Sequence, residues 1–358
     1  MAPKKESDKS PKSPKSPQSP AAKRQKASHP SPNPSPEVNK TGPQLGEKTG
    51  CVEFILNPGE MAQELAKISR HPFWTYYQTP IPAELLPEAE KELEPILLLL
   101  QKVTGVNFSL YKRNTLRRRI MRRMVLRKLD NLQSYLSFLK DNPAEVEALY
   151  QDVLIKVTGF FRDEGAFDVL KKTAFPEILA AKPGEGIVRF WVPGCSTGEE
   201  AYSLAMSWLE FMGDQAPTVP IQIFATDVSE AVIDKARLGF YLENIASDLS
   251  PERLRRFFIK ANGGYQISKT IRDMCVFARQ NLIQDPPFSK MDLISCRNVL
   301  IYLQTTLQKP IIHMFHFSLN PAGFLMLGTS ETVGAFIELF GLLDKKYKIY
   351  RKKSALFR

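Results

Sequence analysis

The spacing of apolar residues divides the chain into a helical part and a part in which strands and helices alternate. Between residues 88 and 166 apolar side chains recur every three or four positions, which is the period of amphipathic helices. The pattern predicts four helices: Ile96–Val103, about Lys112–Leu129, Asn131–Leu139 and Pro143–Lys156. We therefore predict a small all-α domain over residues 88–166.

From residue 187 onward, short apolar runs of strand length are separated by helical stretches. The predicted strands are Ile187–Val192, Ile221–Ala225, Cys275–Ala278, Met291–Ser295, Gly323–Gly328 and Tyr347–Tyr350. A helix is predicted at Ser229–Leu238, and another, ending near Phe340, is predicted between the last two strands. This alternation, ending in an antiparallel pair, is typical of an open α/β sheet.

Residues 249–278 interrupt the alternation. ERLRRFF predicts a short helix, and FFIKANGGYQIS predicts a hairpin that turns at Asn262, Gly263 and Gly264.

Composition separates a tail from the rest of the 358 residues. Residues 1–50 hold ten Lys or Arg against four Asp or Glu, a net of +6 out of +11 for the whole chain. Their KSPKSPKSPQSP repeat has too few apolar residues to offset the entropy of ordering, which predicts a disordered basic tail. Such a tail can contact nucleic acid or an anionic membrane, but a solvated linker is the favoured interpretation.

Other features restrict the class of protein. No apolar run approaches the ~18 residues of a membrane span, and the charged, proline-rich N-terminus does not resemble a secretory signal. The four cysteines lack CxxC spacing and are accompanied by only four histidines. We therefore predict a cytoplasmic protein with no disulfide framework, no metal site and no membrane insertion.

The stretch Ile187–Met206 combines a strand, a glycine turn and an amphipathic helix. This arrangement builds ligand crevices at the carboxyl edge of α/β sheets, although many such turns are only structural. The turn, GCSTGEE, is not a phosphate-binding loop, because Glu199 and Glu200 stand where that loop carries its lysine. Carboxylates here suit a ligand with hydroxyls and positive charge, such as a nucleoside sulfonium.

GCSTGEEAYSLA resembles the cofactor loop of the CheR-type chemotaxis receptor methyltransferases, and the resemblance extends from about Leu93 to Tyr350. It implies a Rossmann-like α/β domain dependent on S-adenosylmethionine over residues 167–358, preceded by the all-α domain. It also implies an antiparallel β-subdomain inserted at about 249–280. Residues 51–87 resemble the tail of a CheB-type methylesterase followed by a linker, and we predict no esterase activity for them.

The resemblance also implies roles for individual residues. Thr158 and Arg162 lie in VTGFFRD, Asp227 ends an ATD motif that would bind ribose, and Arg297, Asn298 and Tyr302 match CRNxxIY. Without the family, an Asp after a strand is usually a helix cap. The implied cofactor-binding residues are Lys156, Thr158, Arg162, Gly194, Ser196, Thr197, Glu200, Asp227, Asn281, Leu282 and Asn298. Arg162, Arg297 and Tyr302 would form the catalytic group by orienting a substrate carboxylate.

A basic face on the second predicted helix is the candidate docking surface. It comprises Arg118, Arg119, Arg122 and Arg123. It can be a solvated surface, a contact for a nucleic-acid backbone, or a docking face for an acidic helix. The resemblance favours the third interpretation, with the acidic methylation region of receptor cytoplasmic helices as the partner. The hairpin tip is shorter than in relatives that bind a receptor pentapeptide, so we predict no pentapeptide tether.

The predicted function is O-methylation of receptor glutamates by S-adenosylmethionine, with S-adenosylhomocysteine as product and with recruitment to membrane receptor arrays. One departure motivates an alternative: Lys156 stands where relatives carry Asn or a small residue, which fits a regulatory module that binds the cofactor without transferring methyl groups. A nucleic-acid methyltransferase is third. It rests on net charge and on the DPPF sequence at Asp285–Phe288. In adenine methyltransferases this sequence ends a strand, whereas here it precedes one.

Overall fold

The structure is a computed structural model that describes residues 56–70, 91–182, 186–214 and 219–354. The predicted tail of residues 1–50 and most of the linker lie outside the described residues. The described residues from Leu65 onward belong to one compact unit. Within the described ranges, no helix is long and apolar enough to cross a membrane.

Helix α1, Pro58–Ser69, begins with a capping box. Asn57 Oδ1 accepts from Glu60 N at 2.9 Å, and Glu60 Oε2 accepts from Asn57 N at 3.1 Å. The apolar side chains of Met61 and Leu65 on this helix are at least half exposed. The resemblance of this segment to a methylesterase tail stays a prediction.

The four helices predicted for the all-α part are confirmed. They are α2 (Glu94–Thr104), α3 (Arg113–Arg127), α4 (Leu132–Asp141) and α5 (Pro143–Val153). Asn131 caps α4 by accepting from Ser134 N at 2.8 Å. Leu100, Phe108 and Leu149 are fully buried in the core between these helices. Helix α5 ends three residues before Lys156, and the following segment leads into α6 (Gly165–Lys172) and α7 (Ala174–Ala180).

Within the described residues, seven strands form one sheet in the order β6-β2-β1-β7-β8-β10-β9. The strands are β1 (Val188–Pro193), β2 (Ile221–Asp227), β6 (Cys275–Arg279), β7 (Met291–Cys296), β8 (Leu319–Leu327), β9 (Phe340–Asp344) and β10 (Ile349–Lys352). Strands β6, β2, β1, β7 and β8 are parallel, and β10 runs antiparallel between β8 and β9. The predicted Rossmann-like fold is confirmed. Chain order reverses between β1 and β7, which places a ligand crevice at their carboxyl ends.

Helices cover both faces of this sheet. They include α8 (Glu199–Met212), α9 (Glu230–Leu238) and α12 (Thr305–Ser318). Helix α8 connects β1 to β2 and is almost entirely buried, with Trp208 packed against Phe175 of α7 and Phe190 of β1. The helix that follows the glycine turn is therefore fixed by the core on nearly every side.

The predicted antiparallel insertion is confirmed and is larger than expected. Strands β3 (Phe240–Leu242), β4 (Phe258–Ala261) and β5 (Gly264–Ile267) form a sheet in the order β3-β5-β4. Helix α10 (Pro251–Phe257) precedes the hairpin, and α11 (Lys269–Asp273) follows it. Strand β3 escaped the sequence analysis because three residues are too few to show a period.

The prediction of a helix that ends near Phe340 is wrong. Phe336 N donates to the Val333 carbonyl at 3.2 Å, and Leu339 N donates to the Phe336 carbonyl at 3.1 Å. The segment therefore forms two successive turns. Gly334, at φ +61°, breaks helical geometry between them. Phe340–Asp344 is instead the strand β9, which pairs with β10.

Candidate active site

A cleft opens at the carboxyl ends of β2, β1 and β7. This is the position expected of a ligand in a doubly wound sheet. Ten predicted cofactor-binding residues line the cleft: Lys156, Thr158, Arg162, Gly194, Ser196, Glu200, Asp227, Asn281, Leu282 and Asn298. Arg297 and Tyr302 line it as well.

The turn after β1 forms the floor of the cleft. Gly194 has φ +72°, and a Cβ there would lie 2.3 Å from Val299 Cγ2, so only glycine fits. Ser196, at φ +51°, directs its amide to Asp227 Oδ2 at 3.0 Å. The backbone of the turn is therefore fixed against the end of β2.

Asp227 supplies a carboxylate at the β2 end of the cleft. Its Oδ2 accepts from Ser196 N and its Oδ1 from Ser229 N, each at 3.0 Å. A carboxylate offers about four lone-pair directions, so these two amides leave acceptor capacity for the donors of a ligand. Burial raises the pKa of Asp227, while the backbone amides and the Lys156 ammonium act in the opposite direction.

Arg297 is the cation at the other end of the cleft, and its side chain is only 2% exposed. Its Nη2 donates to Arg162 O at 2.8 Å and to Asp163 Oδ2 at 2.5 Å. Its Nη1 lies 3.6 Å from Glu200 Oε2 and has no hydrogen-bond partner among the described residues. Burial raises the pKa of Glu200, and Arg297 opposes that change.

The segment before α6 holds left-handed backbone at non-glycine positions. Phe161 has φ +49° and Asp163 has φ +59°, a conformation that persists only where surrounding contacts impose it. Phe161 N donates to Ser203 Oγ at 2.9 Å, and the Arg253 guanidinium lies 3.6 Å from the centre of the Phe161 ring. These contacts position exposed Arg162, whose Nη1 donates to Val157 O at 3.2 Å.

The all-α part closes one wall of the cleft through Tyr111. Tyr111 forms an isolated antiparallel bridge with Leu303, and Lys112 N donates to Tyr302 O at 2.8 Å. The sequence analysis missed Tyr111, which belongs to no recognisable motif. It also missed Gln280, which follows β6 and lines the cleft. The backbone N–H of Gln280 donates to Asp227 O at 2.9 Å.

Thr197 is not among the residues that line the cleft, and its role as a cofactor contact stays a prediction. Its Oγ1 lies 2.8 and 2.7 Å from the two carboxylate oxygens of Glu199, and its carbonyl accepts from Tyr241 Oη at 2.7 Å. The Thr197 side chain is therefore paired with the first residue of α8.

Lys156 lines the cleft but its amine is held by α5. Nζ donates to Gln151 Oε1 on that helix. Burial, followed by the Lys235 charge, lowers the pKa of Lys156. The lysine is therefore half-buried beside the site, with its ammonium directed to an uncharged acceptor.

Arg123 is interior, which removes it from the predicted docking face. It is 8% exposed and donates to both oxygens of Glu145, at 2.8 and 2.7 Å. Tyr135 Oη donates to the same carboxylate at 3.0 Å. The helical wheel placed Arg123 on the polar arc, but α3 packs on α5 and pairs this arginine with Glu145.

The other arginines of that face lie nearer the surface. Arg118 is exposed and Arg119 is half-buried. Arg122, also half-buried, donates to Asp152 Oδ2 at 2.5 Å. Across the described part of the chain, no group of three or more His, Cys, Asp or Glu side chains could hold a metal ion.

Sequence comparisons agree with this division of the chain. Residues 91–154 match the family described as CheR methyltransferase, all-alpha domain, and residues 156–349 match CheR methyltransferase, SAM binding domain. A chemotaxis protein methyltransferase of Listeria innocua is 31% identical over 249 residues, which cover 70% of this chain and 93% of the relative. The corresponding enzyme of Salmonella typhimurium is 31% identical, with 69% and 85% covered.

A longer relative is more similar. An uncharacterised 104.1 kDa protein of Rhodobacter capsulatus is 39% identical over 264 residues, or 74% of this chain. The chain spans only 28% of that protein's length.

Proposed function

The chain belongs to the CheR methyltransferase family, and from this premise we propose that it methylates glutamate side chains of chemotaxis receptors with S-adenosylmethionine. The products would be glutamyl methyl esters and S-adenosylhomocysteine. The observation that carries the proposal is that one cleft contains groups suited to the cofactor and groups suited to the substrate. Asp227 offers an acceptor for a ribose at one end, and Arg162, Arg297 and Tyr302 offer donors for a carboxylate at the other.

The residues present fit the nucleoside. Asp227 retains acceptor capacity for ribose hydroxyls beyond its bonds to Ser196 N and Ser229 N. The cleft lining also includes two residues with buried polar atoms that lack partners among the described residues, Gln280 Oε1 on the β6 side and Arg297 Nη1 on the β7 side. Because β6 neighbours β2, the base would lie over the end of β6, and the amino-acid portion would extend towards β7.

Bound S-adenosylmethionine would supply an electrophilic methyl group. A glutamate with a reference pKa of about 4.3 is already ionised at neutral pH, so this chain need not provide a general base. Arg162, Arg297 and Tyr302 would orient the carboxylate, and the cleft walls would exclude water. Positioning of this kind contributes up to roughly 7–11 kcal/mol in favourable cases. Arg297 suits the task because Asp163 and Glu200 restrain it on two sides.

Receptor docking would use the surface of α3. Arg118, Arg119 and Arg122 lie on a helix that begins two residues after Tyr111, which lines the cleft. An acidic receptor helix on this face would bring its glutamates to the cleft mouth. Such docking would recruit the protein to membrane receptor arrays.

The alternative, a module that binds the cofactor without methyl transfer, is less favoured. It was motivated by Lys156, whose amine donates to Gln151. The three residues proposed to orient the substrate all line the cleft together with Asp227.

The test is transfer of labelled methyl groups from S-adenosylmethionine to a receptor cytoplasmic fragment. The proposal expects label that alkali releases as methanol, and no label in a fragment whose methylated glutamates are replaced by alanine. Label that resists alkali, or none with any receptor fragment, would contradict it.

The same assay tests whether methylation requires a receptor pentapeptide as a tether. The two-residue hairpin turn at Asn262 and Gly263 supports the proposal that no receptor pentapeptide is needed. A receptor lacking its C-terminal residues should be methylated at an unchanged rate. Abolished methylation would show that a tether is required.

A further inference from the structure

Glu331 is a buried carboxylate that neither the sequence motifs nor the mechanism above use. It lies in the turn after β8 and is 4% exposed. The turn meets the segment that follows β7, which carries Arg297, Asn298 and Tyr302. A buried charge is costly unless hydrogen bonds compensate it, so its partners indicate its purpose.

Three backbone amides donate to Glu331. Its Oε2 accepts from Gly328 N at 2.7 Å and from Asn298 N at 2.9 Å. Its Oε1 accepts from Ile301 N at 3.2 Å. One side chain thus ties the turns that follow two adjacent parallel strands.

The segment that it holds has little structure of its own. Asn298 has φ +59°, and only a single 3₁₀ turn, Leu300–Tyr302, follows. A Cβ on Gly328 would lie 2.7 Å from Glu331 Oε2 and 2.9 Å from Asn298 N, so glycine is needed where the two turns meet. The strained Asn298 conformation therefore depends on an acceptor for its amide.

We propose that Glu331 is a positioning residue for methyl transfer, which sets the placement of Arg297 and Tyr302 through the backbone of residues 298–301. The inference rests on the proposed function for its effect on catalysis, but its structural part does not. Glu331 touches neither end of the cleft directly, because its hydrogen bonds go to backbone amides.

Asp292 provides a matched control on the same two strands. It is 5% exposed at the amino end of β7, where it accepts from Arg189 N at 2.9 Å and Asn320 Nδ2 at 2.6 Å and pairs with Lys182. Both residues are buried carboxylates that connect neighbouring strands. Only Glu331 lies beyond the carboxyl ends of the strands, the edge of the sheet at which the cleft opens. Asp292→Asn therefore measures the effect of losing a buried carboxylate remote from the site.

The first measurement is hydrogen–deuterium exchange of the ligand-free protein. Glu331→Gln is the primary variant, because it keeps the side-chain size but places an amide N–H₂ among backbone donors. We expect faster exchange confined to residues 297–303 and the turn at 328–331. Asp292→Asn should instead affect residues around 189 and 320. Unchanged exchange at 297–303 in Glu331→Gln and in Glu331→Ala would overturn the inference.

The second measurement separates positioning from general destabilisation. With the receptor fragment as substrate, Glu331→Gln should lower kcat by about a hundredfold, the order expected of a 1 Å misplacement. The Kd for S-adenosylhomocysteine should stay within about threefold, and Asp292→Asn should retain kcat within about twofold. Equal losses in kcat in the two variants would overturn the inference. An inactive wild-type protein would count against the proposed function alone, since the exchange measurement still decides the role of Glu331.

Discussion

Glu199, the first residue of α8, should make the stability of this protein depend on pH. The side chain is 8% exposed, and burial is the main reason why its pKa is raised from 4.5 to about 7. The hydrogen bond from Thr197 opposes this rise without cancelling it, and the Asp248 charge adds to it. The change to make is Glu199→Gln, which is neutral at every pH and keeps an oxygen that can accept from Thr197.

The magnitude follows from the two pKa values. Because the folded-state pKa is raised, the folded protein retains a proton that the unfolded chain loses above pH 4.5. The wild type therefore loses stability as pH rises from about 4.5 to about 7, and the loss is complete above that range. The pKa values differ by about 2.5, and each unit corresponds to about 1.36 kcal/mol, so the total is about 3 kcal/mol.

The assay is urea unfolding of the two proteins between pH 4.5 and 8.5. The variant should match the wild type at the acidic end and exceed its free energy of unfolding by about 3 kcal/mol at pH 8.5, with unchanged m-values. Glu230→Gln, an exposed carboxylate in the first turn of α9, should change stability by less than about 1 kcal/mol at both ends. A difference between Glu199→Gln and wild type that stays constant across this range would refute the reasoning.

Two further predictions concern a buried ion pair and a glycine in close contact with a side chain. Arg123→Ala removes two charge-assisted hydrogen bonds from the buried Glu145 carboxylate and leaves it Arg127 and Tyr135, so it should lower the free energy of unfolding by about 2–3 kcal/mol. Lys140→Ala, at an exposed position in the last turn of α4, should cost less than about 0.5 kcal/mol; similar values for the two variants in denaturant titrations would contradict a stabilising role for the buried pair. Gly194→Ala brings a Cβ to 2.3 Å from the Val299 side chain and should weaken S-adenosylhomocysteine binding by more than tenfold, as measured by titration calorimetry. Gly263→Ala, at φ +78° with open space around it, adds backbone strain alone and should leave binding unchanged, so equal effects would sink the steric argument.

The sheet and the ends of its strands could be predicted from sequence because their signals are local. The apolar run before Gly194 and the run before Asp227 each encode a buried strand followed by a turn, and parallel pairing brings the two turns together. Family resemblance then supplied roles that periodicity does not carry, such as those of Arg162 and Tyr302.

The errors and omissions have a different origin. Arg123 was misplaced because its pairing with Glu145 depends on how the helices pack. The pairing of Thr197 with the buried Glu199 was not foreseen because it depends on how the turn closes. Strand β9 was missed because its pairing with β10, rather than its own pattern, makes it a strand. Tyr111 lines the cleft, and Glu331 holds the backbone beside it, through contacts with residues distant in sequence, which no spacing rule records.

The central claim, that this cleft binds S-adenosylmethionine through Asp227, is tested most directly by titration calorimetry with S-adenosylmethionine and S-adenosylhomocysteine. Wild type should bind both. Asp227→Ala removes the acceptor for two ribose hydroxyls, and at 1.5 kcal/mol or more for each bond to a charged group this should weaken binding by more than about a hundredfold. Asp234→Ala, an exposed carboxylate on α9, should bind like wild type. No binding by the wild type, or equal binding by wild type and Asp227→Ala, would contradict the assignment of the cleft.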